Sequence, residues 1–293
     1  MGGTSSEHEI SLRSGTTIAR GLQQAGYNVR SVVLAEDRLP ELPGIEAVFI
    51  ALHGRFGEDG GIQQLLEERG LPFTGADSRS SRLAFDKLLT RATLAPAGLP
   101  LAAGQALGAT ESAAAIRLPC PLVVKPPREG SSVGITIVKD PTGLEDAIAE
   151  GRRHDRELLI EEFVPGREWT VGIVDDEALP PIEIQAAMDG GWYSWNAKYF
   201  SQGTTQYIFA EDNPDDVALS LQCRRLALEV FRTLGARGFG RVDFRIDPTG
   251  KPFVLELNTI PGFTEFSLLP MAAARAGMPL PALCQRIMET AAC

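Results

Sequence analysis

Two residues with oxygen-bearing side chains alternate with leucines near the carboxyl end of the chain. In LELNTIPGFTEFS, residues 255–267, Glu256 and Asn258 share one face of a predicted strand, which Pro261-Gly262 ends. The preceding predicted strand, RVDFRI, contains Asp243. If the two strands form an antiparallel hairpin, the three polar side chains can meet on one face. Such a set suits Mg²⁺ bound together with substrate phosphates, although a solvated polar strand face gives the same pattern.

A lysine and a Gly/Ser turn form a second candidate site. In KPPREGSSVG, residues 125–134, Lys125 ends a predicted strand and Ser131 lies in the turn that follows. Backbone N–H groups and serine hydroxyls in such a turn can bind a phosphate. The stretch is not a Walker loop, because GxxxxGK[ST] is absent and the turn leads to a strand. The alternative is an ordinary hairpin turn without a ligand.

The stretch EEFVPGRE, residues 161–168, joins two predicted strands through a Pro-Gly turn. Glu161 and Glu168 flank the apolar pair Phe163 and Val164. An adenine could lie against the apolar pair while a carboxylate binds the ribose hydroxyls, since small-molecule sites combine apolar walls with a few polar groups. The alternative is a turn with solvated acids.

Two N-terminal stretches carry further polar groups. GGTSSEHEISL places Glu7 in a Gly-rich turn before a predicted helix, and HGRFGEDG places His53 directly after a predicted apolar strand. In parallel α/β sheets, binding sites gather beyond the carboxyl ends of the strands. This position is the argument for His53, since a lone histidine is more often structural.

The composition limits the classes of function. The 293 residues include 28 Lys+Arg and 38 Asp+Glu, for a net charge of −10, which argues against a nucleic-acid or anionic-membrane partner. We expect no signal peptide, and no apolar run approaches the ~20 residues of a membrane span. The 4 cysteines are scattered and contain no CxxC pair. This pattern is typical of free thiols in a reducing compartment. We therefore expect a cytoplasmic protein.

The predicted elements that position these groups fall into two classes. The N-terminal part alternates between helices and strands, which predicts a parallel α/β unit. The predicted elements are a helix over 11–26, strands over 29–34 and 47–52, and a helix in IQQLLEERG. Short strands between residues 121 and 185, joined by tight turns, predict an antiparallel α+β module.

The remaining segments predict two further helices and a lid. Residues 81–97 and 215–235 have helical patterns, and GFGRVDFRID with PFVLELN predicts a hairpin. Residues 186–214 are polar and poorly periodic, and a loop of that length is usually functional. Boundaries near residues 78 and 165 give predicted domains 1–78, 79–165 and 166–293.

The order of the motifs is more specific than any one of them. The chain contains, in this order, GGTSSEHEISLRSG, HGRFGEDG, PFTGADSRSSRLAFDK, KPPREGSSVG, EEFVPGRE, AKY, GRVDF and ELNTIPGFTEFSLLP. Over nearly its whole length it resembles the D-alanine–D-alanine ligase family of ATP-grasp enzymes. The resemblance implies the fold class α/β and α+β: an N-terminal Rossmann-like (pre-ATP-grasp) α/β domain, a central domain and a C-terminal ATP-grasp domain, with nucleotide between the last two.

The resemblance also implies a role for each matching position. Glu7 would hold the ammonium of the first D-alanine, with Ser131 and Tyr199 as its hydrogen-bonding partners. Arg241 and the backbone N–H of Gly262 would form the oxyanion hole. The second substrate would contact His53, Ser267 and Leu268.

ATP and Mg²⁺ (or Mn²⁺), as two ions, are the implied cofactors. The metal ligands would be Asp243, Glu256 and Asn258. The implied contacts to ATP are Lys87, Lys125, Glu161, Phe163, Val164, Glu168 and Lys198.

The activity implied is ATP-dependent ligation of two D-alanines to D-alanyl-D-alanine through an acyl phosphate, for peptidoglycan synthesis, by a homodimer. Tyr199 favours D-alanine as the second substrate. One alternative is an ATP-grasp ligase that joins D-alanine to another amino or hydroxy acid. Another is a nucleotide-binding protein that has lost catalysis.

The chain departs from the family pattern in two places. Relatives usually begin with a short apolar strand before the first Gly-Gly, whereas here Met1 precedes Gly2. We therefore expect the natural chain to begin several residues upstream. Ser194, Trp195 and Asn196 stand where relatives often carry acidic and aromatic residues, a change that affects the anchoring of the lid.

Overall fold

The computed structural model describes residues 1–186, 205–264 and 266–293. Its α-helices are α1 (His8–Gln24), α2 (Gly61–Glu68), α3 (Ser78–Phe85), α4 (Lys87–Leu94), α5 (Leu144–Gly151), α6 (Val217–Thr233), α7 (Leu268–Arg275) and α8 (Leu280–Glu289). Its strands are β1 (Gly104–Leu107), β2 (Leu122–Lys125), β3 (Thr136–Val138), β4 (Leu158–Glu162), β5 (Arg167–Val174), β6 (Glu177–Ala178), β7 (Ile182–Ala186), β8 (Thr205–Phe209), β9 (Phe239–Ile246) and β10 (Pro252–Asn258).

A six-stranded antiparallel sheet in the carboxyl half lies between two apolar cores and carries polar residues of the candidate site on one face. Its order is β10-β9-β5-β7-β8, with β6 paired to β5. Trp169 and Val171 of β5 and Phe244 of β9 are buried in one core with residues of α6. Since successive strand residues point to opposite faces, the intervening Thr170 and Asp243 lie on the other face. On the side away from α6 the sheet therefore carries Thr170 and Asp243 beside a second apolar core, which includes Val174, Ile182 and Phe239.

A β-bulge in β10 sets which residues face each other across the hairpin. Val254 pairs with Phe244, but the register then shifts, so that Glu256 rather than Leu255 lies opposite Asp243. A bulge adds one unpaired residue to one strand and re-aims the side chains beyond it. The hairpin expected from the sequence is confirmed, and the bulge brings its two carboxylates to directly paired positions.

A four-stranded antiparallel sheet, ordered β1-β4-β2-β3, forms a second layer between residues 104 and 162. Leu122, Val124 and Ile160 are buried against α5 in a core of their own. The alternation of side chains puts Lys125 and Glu161 on the opposite face of neighbouring strands.

The N-terminal strands expected over 29–34 and 47–52 are extended segments that pair at isolated positions. Gly2 bridges Leu34, and Val48 bridges Phe73, both in parallel. Both segments line an apolar cleft of about 180 Å³ together with α1. Among the described residues each segment forms a single-residue bridge, which is too short for a ladder, so the prediction of two regular strands was wrong.

The single helix expected over 81–97 is two helices that meet at Asp86. The Asp86 carboxylate accepts hydrogen bonds from the backbone N–H groups of Leu88 and Leu89, so Asp86 is the N-cap of α4. Lys87 becomes the first residue of α4, and its backbone N–H donates to Pro127 O at 3.0 Å. The break therefore fixes a lysine beside the Gly/Ser turn.

The loop expected over 186–214 contains a strand at its carboxyl end. Residues Thr205–Phe209 form β8, which pairs antiparallel with β7 from Ile182↔Phe209 to Ala186↔Thr205. Tyr207 and Phe209 pack against the apolar core that includes Ile182 and Ile184, while Gln206 and Ile208 are exposed, so the period of two was present within a polar stretch. Residues 187–204 of the expected lid lie outside the described residues.

The cysteines and the helices agree with the other expectations from composition. All 4 cysteines are free, and burial raises the pKa of the Cys223 and Cys284 thiols to about 12, so neither thiol ionises near neutral pH. In the described part of the chain, no helix has the length and apolar character needed to cross a bilayer.

Replacing Asp86 tests the cap that divides α3 from α4. Asp86→Ala removes the acceptor for two backbone N–H groups, and we expect unfolding to become easier by about 1 kcal/mol, measured by thermal or urea denaturation. Asp86→Asn keeps a capping oxygen and should stay close to the wild type. Equal losses in both variants would show that the charge, rather than the cap, provides the stability.

Candidate active site

A cleft of about 630 Å³ brings together most of the residues singled out from the sequence. Its walls come from the N-terminal turn, the HGRFGED loop, the KPPREGSSVG loop, the β9–β10 hairpin and the turn before α7. The predicted site residues that line it are Glu7, His53, Lys87, Ser131, Arg241, Glu256, Asn258, Gly262, Ser267 and Leu268.

Glu7 joins the N-terminal turn to the Gly/Ser loop. Its carboxylate is buried and accepts a hydrogen bond of 2.6 Å from Ser131 Oγ. Ser131 and Ser132 adopt left-handed backbone conformations, with φ of 49° and 64°, which non-glycine residues rarely do. The loop thus holds a strained shape that turns the serine toward the carboxylate.

Lys87 connects the same loop to the hairpin. Its ammonium donates to Glu129 O at 2.7 Å and lies 3.4 Å from Glu256 Oε2. The Glu129 side chain in turn forms an ion pair of 2.6 Å with Arg55 of the HGRFGED loop. Three separate segments of the chain therefore meet around one lysine, which is well placed to contact an anion in the cleft.

The paired strands β9 and β10 carry the candidate metal ligands. The Asp243 carboxylate accepts two hydrogen bonds from the Arg241 guanidinium, at 2.8 and 2.7 Å. It accepts a third from Thr170 Oγ1 at 2.6 Å. Glu256 lies directly opposite Asp243, and Asn258 lies opposite Arg241. Two carboxylates and an amide oxygen on adjacent strands are the donors that Mg²⁺ prefers, so the residues present fit that ion.

The turn after β10 presents backbone and hydroxyl groups to the cleft. A Cβ on Gly262 would lie 2.9 Å from Ser267 Oγ, so a larger residue there would displace the serine. The Ser267 hydroxyl accepts a hydrogen bond of 2.8 Å from the backbone N–H of Thr264. Leu268 follows as the first residue of α7. The small glycine and the fixed serine keep this wall of the cleft open and polar.

A second charged group lies on the four-stranded sheet, outside the lining of the 630 Å³ cleft. Lys125 and Glu161 form a buried ion pair, and Glu161 Oε1 also accepts from Arg91 Nη1 at 2.5 Å. Arg91 lies directly over Gly104, where a Cβ would come within 2.7 Å of its guanidinium carbon. Buried charges of this kind persist only when they are paired.

The hinge between the two sheets holds the remaining predicted nucleotide contacts. Glu168 lies 3.4 Å from Arg245 Nη1, and Arg245 Nε donates to Val164 O at 3.2 Å. Phe163 and Val164 are half-buried. Like Lys125, Glu161 and Asp243, the three predicted residues Phe163, Val164 and Glu168 do not line the cleft. Lys198 and Tyr199 fall outside the described residues.

Four residues of this region were not singled out from the sequence. Arg55 and Arg91 pair with acids that are distant in the chain, so only the tertiary structure reveals them. Thr170 is one residue of an otherwise apolar strand. Glu58, in contrast, stands in the quoted motif HGRFGEDG, and burial raises the pKa of its carboxyl above the usual range.

Comparisons with known proteins identify the family of the chain. The family models described as D-ala D-ala ligase N-terminus and C-terminus match residues 33–76 and 102–289. A D-alanine–D-alanine ligase of Dechloromonas aromatica is 45% identical over 100% of this chain and 96% of its own length. A second, from Acidiphilium cryptum, is 43% identical over 100% of this chain and 97% of its own length.

The fold is also similar to solved structures. The D-alanine–D-alanine ligase from Bacillus anthracis, crystallised in complex with ATP, superposes with a TM-score of 0.86 at 32% identity, covering 99% of this chain and 94% of that one. Identity of this extent over the full length, together with the matching family models, shows that the chain has the ATP-grasp fold and belongs to the D-alanine–D-alanine ligase family.

Proposed function

We propose that this protein joins two D-alanines into D-alanyl-D-alanine, with ATP converted to ADP and phosphate, for peptidoglycan synthesis. The observation that carries the proposal is the cleft that is lined by the hydrogen-bonded pair Glu7 and Ser131 and by the ion pair Lys87 and Glu256. A carboxylate that can bind an ammonium therefore shares one cleft with a cation that can bind a phosphate, as a ligase for amino acids requires.

The first step joins two anions, the carboxylate of the first D-alanine and the γ-phosphate of ATP. Glu7 binds the ammonium of this D-alanine, and Ser131 fixes the orientation of the Glu7 carboxylate. Lys87, Lys125 and the lid residue Lys198 neutralise the phosphates, because like charges approach only when opposite charges compensate them. Glu161, Phe163, Val164 and Glu168 bind the adenosine.

Magnesium, or manganese, is part of the proposal. Asp243, Glu256 and Asn258 would hold it as two ions, and it would supply positive charge at the phosphates of ATP. Both oxygens of the Asp243 carboxylate accept hydrogen bonds from Arg241. The carboxylate would therefore serve the guanidinium and the metal together.

The second step transfers the acyl group to the amine of the second D-alanine. The acyl carbon becomes tetrahedral, and its oxygen gains negative charge. Arg241 and the Gly262 backbone N–H stabilise this oxyanion by hydrogen bonding. Removing one such donor typically lowers the rate of an enzyme by ~10²–10³-fold. His53, Ser267 and Leu268 bind the second substrate, and Tyr199 favours D-alanine there. Residues of the lid shield the acyl phosphate from water.

We also propose that the protein works in the cytoplasm as a homodimer. Its free cysteines suit a reducing compartment, and the dimer rests on the family resemblance. Light scattering measures the oligomeric state directly: a mass equal to one chain at working concentration would contradict the dimer.

Phosphate release from ATP identifies the substrates. D-alanine, L-alanine, D-lactate and D-serine are offered singly, and then each of the last three is offered together with D-alanine. We expect release with D-alanine alone and D-alanyl-D-alanine as the product detected by mass spectrometry. Mixed products would indicate a ligase for another acceptor, and no release with any substrate would indicate a nucleotide-binding protein without catalysis.

Glu256→Ala tests the metal assignment. The variant loses a carboxylate from the ligand set, and we expect turnover at ordinary magnesium concentrations to be abolished. Glu229→Ala on the exposed side of α6 is the matched control and should keep wild-type turnover. If Glu256→Ala retains turnover and its magnesium requirement is unchanged, Glu256 is not a ligand.

A further inference from the structure

Glu58 is a buried carboxylate in the cleft to which the steps above give no role. It belongs to the HGRFGED loop, where its backbone N–H donates to Gly54 O at 2.8 Å, just before α2. Its side chain lines the cleft together with Glu7 and His53, and 14% of that side chain is exposed. A carboxylate this enclosed loses most of its hydration and needs either a partner or a proton.

His53 is the one partner of the Glu58 side chain among the described residues. His53 Nδ1 lies 3.5 Å from Glu58 Oε1, and His53 Nε2 lies 3.2 Å from Ser14 Oγ. Ser14 Oγ already accepts a hydrogen bond from Phe263 N–H at 3.1 Å, so its own hydrogen is available to His53 Nε2. That arrangement places the imidazole proton on Nδ1, toward Glu58.

His53 and Glu58 both line the cleft, but of the two, Glu58 is the one that keeps a polar atom beyond those engaged with His53 and Ser14. Both ring nitrogens of His53 are engaged, and the residue is 5% exposed. Glu58 has a second carboxylate oxygen beyond the one near His53. The histidine therefore orients the carboxylate, and the carboxylate is the group able to accept a proton from a molecule in the cleft.

Neighbouring charges adjust the affinity of Glu58 for a proton. The titratable groups that face it are Glu7 before α1, His53 in its own loop and Glu256 of β10, which is paired with Lys87 of α4. Burial is the largest influence and raises the pKa of Glu58, while the hydrogen bond with His53 lowers it. A carboxyl with a raised pKa is a stronger base than an exposed one.

The proposed reaction needs such a base. An amino acid enters at neutral pH as an ammonium, which has no lone pair and cannot attack the acyl phosphate. Lys87 and Arg241 are cations and cannot take its proton. Glu7 is assigned to the first ammonium, and Asp243 and Glu256 to the metal. Of the acids that line the cleft and have no such assignment, Glu58 is the one held by a histidine.

We propose that Glu58 accepts the ammonium proton of the second amino acid and that His53 is its positioning residue; this inference rests on the proposed function. The proton moves from nitrogen to a Glu58 oxygen, which leaves a neutral amine. The nitrogen lone pair then forms the C–N bond and gives the tetrahedral oxyanion, which collapses as the C–O bond to phosphate breaks. The second nitrogen proton leaves with the phosphate, and Glu58 returns its own proton to water after product release.

Hydroxylamine separates proton removal from the earlier steps. It is largely uncharged at neutral pH, so it attacks an acyl phosphate without a base and gives D-alanyl hydroxamate. We expect Glu58→Gln to lower dipeptide formation about 10²-fold at pH 7 while hydroxamate formation stays at the wild-type level. Glu9→Gln, at an exposed position of α1, is the matched control and should leave both products unchanged.

The pH dependence of dipeptide formation gives a second test. A purely structural role of Glu58 would lower the rate without changing this pH dependence. In Glu58→Gln, only amine that is already neutral can react, so dipeptide formation should rise about tenfold per pH unit until the acceptor ammonium itself titrates. The wild type should level off at lower pH. In Glu58→Ala, added formate should restore part of the dipeptide formation by replacing the missing carboxylate.

The outcomes separate this inference from the proposed function. Loss of dipeptide with hydroxamate retained, or rescue by formate, supports Glu58 as the proton acceptor. Loss of both products in Glu58→Gln, without rescue of Glu58→Ala by formate, overturns it in favour of a structural role. A wild-type protein that forms no hydroxamate from D-alanine and ATP contradicts the proposed function itself, and the inference with it.

Discussion

The pairing of β9 with β10 is the constraint on which the candidate active site depends. Its register, shifted by one bulge, places Glu256 opposite Asp243 and Asn258 opposite Arg241. The apolar residues between them are buried against α6, so a slip of one residue would turn the polar set into the core. Burial of the apolar face thus fixes the polar face. The Pro-Gly turn that ends β10 then carries the Gly262 N–H to the same cleft.

Around this hairpin, cations and carboxylates from distant segments hold one another in place. Lys87 contacts both the Gly/Ser loop and Glu256, while Lys125 contacts Glu161, which also binds Arg91. Because a buried charge is costly without a partner, these pairs keep the lysines enclosed and oriented. We expect ATP to take over part of these contacts when its phosphates enter, so that the lysines exchange one anionic partner for another.

The sequence alone was sufficient to predict the local elements that have a clear periodicity and the site residues that belong to motifs in a specific order. The β9–β10 hairpin and its polar face followed from alternation, and Glu7, Lys87 and Ser131 followed from the family motifs. Features that depend on tertiary contacts could not be predicted in this way. The division of residues 81–97 depends on an Asp86 cap that competes with a continuous helical pattern, and β8 exists because β7 offers it an edge. Arg55 and Arg91 pair with acids far away in the chain. Glu58 was visible in its motif, but its burial beside His53 was not.

The acyl phosphate is the intermediate on which the proposed mechanism depends, and the transfer of an oxygen isotope detects it. D-alanine carrying heavy oxygen in its carboxylate is incubated with ATP and magnesium, and the released phosphate is analysed by mass spectrometry. If the carboxylate attacks the γ-phosphate and the amine then displaces it, one heavy oxygen from each ligated carboxylate leaves with the phosphate. Dipeptide formed together with phosphate that carries no heavy oxygen would contradict the acyl phosphate and the roles assigned to Lys87, Arg241 and Gly262.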